Sequence, residues 1–419
     1  MNLIDDIVLW HKELTQWRRD IHAHPELAFE ETRTADFVAS QLESYGINVT
    51  RGVGKTGVVG TLKVGSSNKA IGLRADMDAL PMDELNTFSH KSKTPGCMHG
   101  CGHDGHTVML LAAARYLAQS RDFDGTVQFI FQPAEEANDN GSGAKAMIDD
   151  GLFERFPVDS VFAVHNAPGL KTGAIATKPG AIMASMDLFE VTITGQGTHG
   201  AIPHSGTDQL IIAAQMLLAW QTIISRNVDP LQSAVISATS ITSGDSWNVI
   251  PESVSIKGSI RTLSAETQQL IHDRFHCLTQ QLAAGFGVAV KINYRHSYPA
   301  TINDKAQTAM ACTVAVDIVG EDQILTDIPA GMGSEDFSYM LQEKPGCYLF
   351  IGNSDPSGDK EYSGIEKRKL PEQSDLLEQL TIHDACMVHN PSYDFNDAIL
   401  PVGATFFVRL VERCLSLTK

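Results

Sequence analysis

The chain has 419 residues, past the ~250 to 300 at which one hydrophobic core stops growing, so two or three domains are expected. Apolar residues make up 43% and charged residues 20%, a composition that excludes disordered and low-complexity chains. Acids outnumber bases 50 to 32 for a formal charge of -18; such a surface repels phosphate backbones and anionic headgroups, which excludes nucleic acid and membrane surfaces as partners.

In chain order, Leu3 to Tyr45 reads as two helices broken at His24-Pro25, because proline disfavours helical geometry in the residue before it. Gly46 closes the second helix. Short apolar runs then alternate with helical patterns: strands at Val58–Val64, Ala70–Arg74, Thr126–Phe131 and Asp159–Val164, helices at Thr107–Ser120 and near Gly143–Asp150. That alternation predicts an α/β layer with a mostly parallel sheet. From about Ser185 the order becomes strand (Leu188–Thr194), helix (Gln209–Arg226), two strands (Ala234–Thr242, Ser253–Thr262), helix (Ala265–Gly285) and strand (Val288–Tyr294), a βαββαβ ferredoxin-like unit. After Pro299 the first rhythm returns, with a helix near Gln307–Val319, a strand Cys347–Ile351 and a closing helix Ala398–Leu417. The expected organisation is a discontinuous domain of residues 1–184 and 300–419 with residues 185–299 inserted.

Seven scattered cysteines do not form a disulfide framework and suit a reducing compartment. Met1 to Asp20 carries no signal-peptide pattern, and no run approaches the ~20 apolar residues of a membrane span. A soluble, cytoplasmic protein is expected.

Three strands run straight into metal-ligand chemistry. Ala70–Arg74 leads to Asp76 and Asp78, Val127–Phe131 to Glu135-Glu136, and Asp159–Val164 to His165-Asn166. Ligands of open α/β sheets gather beyond the carboxyl ends of the strands, so these side chains should share one crevice. Between the first two strands lies Cys97-Met98-His99-Gly100-Cys101-Gly102-His103-Asp104-Gly105-His106, whose thiol and imidazoles suit zinc and neighbouring transition metals. His99 and His106 are candidates either for hydrogen bonding behind a ligand or for packing, and Cys97 for a small buried hydrophobe. Successive side chains at a strand end point in different directions, so one of Glu135 and Glu136 can hold a metal while the other faces substrate as a general base.

The strings RADMDALP (74–81), CMHGCGHDGHT (97–107), FQPAEE (131–136), VHNAPG (164–169), GTHGAIPH (197–204), NVIPE (248–252), GSEDF (333–337) and VHNPSYDFND (388–397) occur in this order along essentially the whole chain. Together they strongly resemble the metallo-amidohydrolases that include hippurate hydrolases, bacterial aminoacylases and plant indole-acetyl-amino-acid hydrolases. The resemblance implies two divalent ions per subunit (Zn, Mn, Ni or Co) held by Cys101, His103, Glu136, His165 and His389, with Glu135 as general base and Asp78 orienting a ligand from behind. It implies that the inserted domain is a lid and dimerisation domain, giving a homodimer or a dimer-based oligomer. There His199 steadies the developing oxyanion, and Asn248 and Arg261 meet the substrate's carboxylate or tetrahedral oxygen. Asp76 stands where many related dinuclear peptidases carry a histidine, and Gly100 and Gly105 replace alanines common in this loop.

The expected activity is hydrolysis of N-acyl amino acids, hippurate-like or N-acetylated, to a carboxylic acid and a free amino acid. The alternatives are a dinuclear dipeptidase or aminopeptidase, and, in another class, a non-catalytic metal-binding regulatory protein.

Overall fold

Proline sets the first boundary: helix α2 (His11–Ala23) ends at His24, immediately before Pro25. The structure, a computed structural model, describes residues 1–354 and 386–417, with the backbone alone at 138–140. A shorter helix, α1 (Asp5–Leu9), precedes α2, so the opening helix expected from the sequence is in fact two, joined at Trp10. Helix α3 (Thr32–Ser44) follows and gives way to Gly46 at φ 75°.

Strand β1 (Asn48–Val53) then pairs antiparallel with β2 (Gly57–Val64). The first of these has no counterpart in the sequence reading, because an edge strand that is mostly solvated lacks an apolar run. Strands β3 (Ala70–Asp76), β4 (Gly125–Gln132) and β5 (Ser160–Lys171) form the parallel centre, with β3 flanked by β4 and β5. The eight-stranded order is β1-β2-β4-β3-β5, then Gly346–Ser354, Ile175–Ala176 and Ile324–Leu325. The β2–β4 pairing is antiparallel, so the sheet is mixed but largely parallel. Every residue of β3 is buried, as a strand covered on both faces requires.

Helix α4 (His103–Ser120) is buried on all sides from His103 to Ala114, the pattern of a helix inside a core. It packs against α2, α3, β3 and the closing helix Leu400–Cys414. Burial on every side fixes its first turn firmly, and that turn belongs to the motif loop: the sequence reading starts the helix at Thr107, whereas His103 is already its first residue.

The described residues cluster into two compact units, one of Met1–Gly180, Asn303–Ile328 and the chain from Met340 onward, the other of Ala181–Ile302 and Pro329–Tyr339. Residues 329–339, assigned by sequence to the discontinuous domain, thus cluster with the second unit. That unit holds a four-stranded antiparallel sheet in the order Ala234–Thr242, Ser253–Thr262, Met186–Thr194, Ala289–Tyr298. Helices Gln209–Arg226 and Ala265–Gly285 pack on it. Phe189, Trp220 and Phe275 meet at its centre with ring centroids 4.7 to 5.4 Å apart, and Trp220 Nε1 donates to Thr279 Oγ1 at 2.8 Å.

Candidate metal centre

The strand register assembles the site. Asp76 is level with Gln132 of β4, and Arg74 with Ala163 of β5, so Asp76, Gln132 and His165 reach the same height in the sheet. The sequence reading ends the third strand at Val164. Strand β5 runs on to Lys171 because Gly346–Ser354 extends alongside it, and His165 is held within that ladder opposite Phe350.

The Glu135-Glu136 pair lies past the strand end, on a turn rather than on an alternating strand. Strand β4 stops at Gln132, Ala134 turns through the left-handed region at φ 51°, and a 3-10 turn begins at Glu135. On such a turn neighbouring side chains project about 120° apart.

All five expected ligands come together in the first unit. The donor atoms of Cys101, His103 and His165 lie within 4.8 Å of one another, as do those of Cys101, Glu136 and His389. Cys101 is common to both groups. Its Sγ is 3.4 Å from His165 Nε2, and His389 Nε2 is 2.8 Å from Glu136 Oε1. His103, Glu135 and Glu136 form a further such group.

The ring orientations are set from behind. His103 Nδ1 donates to the Asp78 carbonyl at 2.9 Å and lies 3.2 Å from the Asp78 carboxylate. The other Asp78 oxygen accepts from the Glu136 backbone N–H at 2.8 Å. Asp78 therefore contacts two of the candidate ligands at once. His165 Nδ1 donates to the Asn166 carbonyl at 2.6 Å, leaving Nε2 as the lone pair facing Cys101. Asn166 Nδ2 donates to the Cys101 carbonyl at 2.6 Å, and the Tyr393 hydroxyl donates to Asn166 Oδ1. His389 has φ 64°, and its N–H donates to the Gly100 carbonyl at 2.7 Å, which ties this C-terminal candidate to the motif loop.

These residues fit divalent ions. His103 Nε2 is buried without a hydrogen-bond partner, and a buried polar atom without a partner is costly unless an ion or water meets it. Burial, Glu136 and Glu135 push the Cys101 thiol well above its ordinary value, so it becomes a thiolate only beside a cation. Burial opposes charge on His103, but Asp76 and Asp78 more than offset it and raise its pKa to about 10. Burial holds His165 well below the ordinary value and therefore neutral. The cluster carries more negative charge than its own cations balance.

Asp76 and His106 are placed differently. Asp76 accepts from Arg74 Nη1 at 2.7 Å and from His106 Nδ1 at 2.6 Å. His106 Nε2 accepts from the Asn166 backbone N–H at 3.0 Å. Both His106 nitrogens are hydrogen-bonded, and Asp76, His103 and His106 form a further buried group of donor atoms within 4.8 Å of one another. Burial would raise Asp76, but His103, Arg74 and His106 hold it well below the carboxylate range. His99 is buried with neither ring nitrogen bonded, and burial lowers it to about 4, so it packs. Cys97 is buried and pushed up to about 11 by burial, the state of an inert thiol.

His199, Asn248 and Arg261 lie in the second unit. His199 sits on a two-residue strand paired with Val249–Ile250, and the Gly200 N–H donates to the Asn248 carbonyl at 2.7 Å, so these two residues are neighbours. The Ala201 N–H donates to His199 Nδ1 at 3.0 Å, which leaves the ring proton on Nε2. Arg261 donates through Nη1 to Ser334 Oγ at 2.8 Å.

Sequence reasoning missed the buried braces around the ligands. Arg18 pairs with Asp104, Asp394 and Asp397, and His22 bridges Asp104 and Glu84. A charged residue on a helix gives no sequence signal of burial by itself; acids immediately after His103 and soon after His389 are the only hint.

Residues 72–383 match peptidase family M20/M25/M40. The chain is 39% identical to a hippurate hydrolase of Campylobacter jejuni, over 99% of this chain and 100% of that one. It is 40% identical to an N-acetyl-L-cysteine deacetylase of Bacillus subtilis, over 81% and 80% of the two chains. A crystal structure of a Bacillus subtilis protein described as a dinuclear metal binding peptidase superposes with a TM-score of 0.79 at 30% identity, covering 99% of this chain and 100% of the other.

Proposed function

Because this chain belongs to peptidase family M20/M25/M40, we propose that it is a metal-dependent amidohydrolase that cleaves N-acyl amino acids at a two-metal centre. The observation that carries the reading is the pair of ligand groups sharing Cys101: one set holds His103 and His165, the other Glu136 and His389. Two divalent ions held by these residues would polarise the acyl carbonyl and make a water acidic enough to attack at neutral pH. The thiol of Cys101 would favour Zn, Ni or Co, while the carboxylate of Glu136 would also admit Mn.

The remaining work falls to side chains. Glu135, whose carboxylate lies within 4.8 Å of the candidate ligands Glu136 and His103, takes the proton of the attacking water and delivers it to the nitrogen of the leaving amino acid. His199 donates Nε2–H to the acyl oxygen as negative charge develops, a contribution of about 3 to 4 kcal/mol for a donor of this kind. Asn248 and Arg261 bind the substrate carboxylate. Asp78 positions His103 and Glu136 and touches no reacting atom.

The second unit has the strand order of a ferredoxin-like fold, and we assign it as the lid. Its edge strand Ala234–Thr242 exposes Val235 and Ile241, and helix Gln209–Arg226 exposes Ile211 and Leu218. An apolar open edge of this kind supports a homodimer formed through this unit. Among the described residues no helix is long and apolar enough to cross a membrane, and all seven cysteines are free thiols, which suits the cytoplasm.

A substrate panel tests the activity. Hippurate and N-acetyl amino acids are compared with dipeptides bearing a free amine, each with Zn, Mn, Ni and Co, by following amino-acid release. The N-acyl compounds are expected to be hydrolysed at least ~10-fold faster, because the acyl part of a dipeptide carries a charged amine for which no acidic partner is assigned. The reverse preference would replace this reading with a peptidase.

A further inference from the structure

Glu31 stands at the start of α3, the position whose side chain ordinarily caps the helix, yet it makes no cap bond. Glu26 performs that task instead, accepting from the Arg33 N–H at 2.8 Å and the Thr34 N–H at 2.9 Å. The Glu31 carboxylate is thereby released for another use. It is fully buried and accepts from the Ala134 N–H at 2.8 Å, the Phe29 N–H at 2.9 Å and the Thr56 hydroxyl at 2.5 Å.

These contacts coincide with the strained backbone of the first unit. Among the described residues five that are not glycine have positive φ, and three of them surround Glu31: Phe29 at 65°, Lys55 at 85° and Ala134 at 51°. Two have their N–H held by Glu31 itself, and the third precedes Thr56. Strain of this kind persists only where surrounding contacts over-determine it, and it gathers at functional sites. The turn that follows Ala134 carries Glu135 and Glu136. Its amides at 134 and 136 are each held by a carboxylate, the first by Glu31 and the second by Asp78. The Ala134 carbonyl accepts from the Gly143 N–H at 2.9 Å, and a Cβ at Gly143 would lie 1.6 Å from the Pro133 carbonyl oxygen, so the far side of the turn is closed as well.

We propose that Glu31 is a positioning residue for the carboxylate pair: it holds Ala134 in the left-handed conformation that sends Glu136 to the metals and Glu135 to the substrate. It acts through the turn and contacts no reacting atom. The proposal rests on the roles given above to Glu135 and Glu136.

The test uses the full chain stripped of metal. Co(II) binding is titrated by visible absorbance, and kcat and KM are measured on an N-acyl amino acid, for Glu31→Ala, Glu31→Gln, Glu31→Ala/Ala134→Gly and Glu136→Ala. Residues behind a metal ligand typically change metal affinity or activity by ~10- to 100-fold. Glu31→Ala is expected to lose that much Co(II) affinity and kcat, with KM within about threefold of wild type, since the substrate's own contacts are untouched. Glu31→Gln keeps an oxygen facing both N–H groups and is expected to restore most of the loss. Glycine at 134 adopts positive φ without support, so Ala134→Gly is expected to recover part of the loss in the Glu31→Ala background. Wild-type Co(II) affinity in Glu31→Ala overturns the proposal, and so does absence of rescue by both glutamine and glycine. If Glu31→Ala does not fold, Glu31→Asp, which withdraws the carboxylate by one methylene, carries the same comparison. Glu136→Ala separates the two levels: if it keeps full Co(II) affinity the ligand assignment itself fails, whereas lost affinity there with none lost in the Glu31 variants removes only the role of Glu31.

Discussion

Replacing Arg18 by methionine tests whether the ligand-bearing loops are braced by one buried cation. The Arg18 side chain is 0% exposed and lies 2.7 Å from Asp397, 2.9 Å from Asp394 and 3.5 Å from Asp104. Methionine keeps most of the volume, so the cavity contribution is small. The dominant effect is the loss of a cation from among three acids, one of them fully buried, and removing one partner of a buried ion pair costs about 3 to 5 kcal/mol. At about 2 °C per kcal/mol for a domain of over 200 residues, Tm should fall by roughly 6 to 10 °C. Burial alone would raise Asp104 and Asp394, but their bonds from His22 and His90 and the Arg18 charge hold both below the usual carboxylate range. Depressed carboxylates contribute stability above their unfolded pKa and lose it as pH falls through the folded value. The gap between wild type and Arg18→Met, measured by urea denaturation across pH, should therefore be widest near neutrality and narrow below about pH 4. A cost under about 1 kcal/mol at pH 7, or a gap unchanged in acid, would refute the brace.

Three further outcomes follow from the same contacts. Burial disfavours charge on His22, yet its bonds to Asp104 and Glu84 raise it to about 9; a raised histidine stabilises fully below about pH 6.5 and progressively less up to pH 9. His22→Gln should flatten the wild-type decline in that window, which amounts to at most about 3 kcal/mol, and an equally steep variant in pH-dependent urea melts would count against the network. A Cβ at Gly105 would lie 2.3 Å from the buried Phe395 ring, so Gly105→Ala should cost about 1 to 3 kcal/mol by thermal melting despite its better helix propensity. Thr279→Val strands the Trp220 indole N–H and should cost about 1 to 3 kcal/mol, with no change in metal content.

Much of this architecture was legible because its elements are long and periodic. The helix Gln209–Arg226 has the same ends in sequence and structure, since Asp208 caps its start, accepting from Leu210 and Ile211. Strand β1 was hidden by its exposure, and the true start of α4 by Gly102, whose φ of 93° reads in sequence as a loop residue. The convergence of the candidate ligands was legible because thiol, imidazole and carboxylate stand in or beside loops that follow buried strands. Their supports were not: Glu31, Arg18 and His22 act across large sequence separations, and nothing local marks a polar side chain as buried. The Gly105 departure from the related sequences does have a physical account, since Phe395 occupies the space that a methyl group would need.

Hydrolysis of an N-acyl amino acid is assigned to two metal ions acting together with Glu135. Metal content and turnover measured side by side for wild type and Glu135→Gln, each rebuilt from metal-free protein, test it most directly. Two ions per chain are expected in both proteins, with turnover in the wild type only when the ions are present and a rate about 100- to 10,000-fold lower in Glu135→Gln. A near-normal rate in Glu135→Gln, or full wild-type activity with no ion bound, would contradict this assignment.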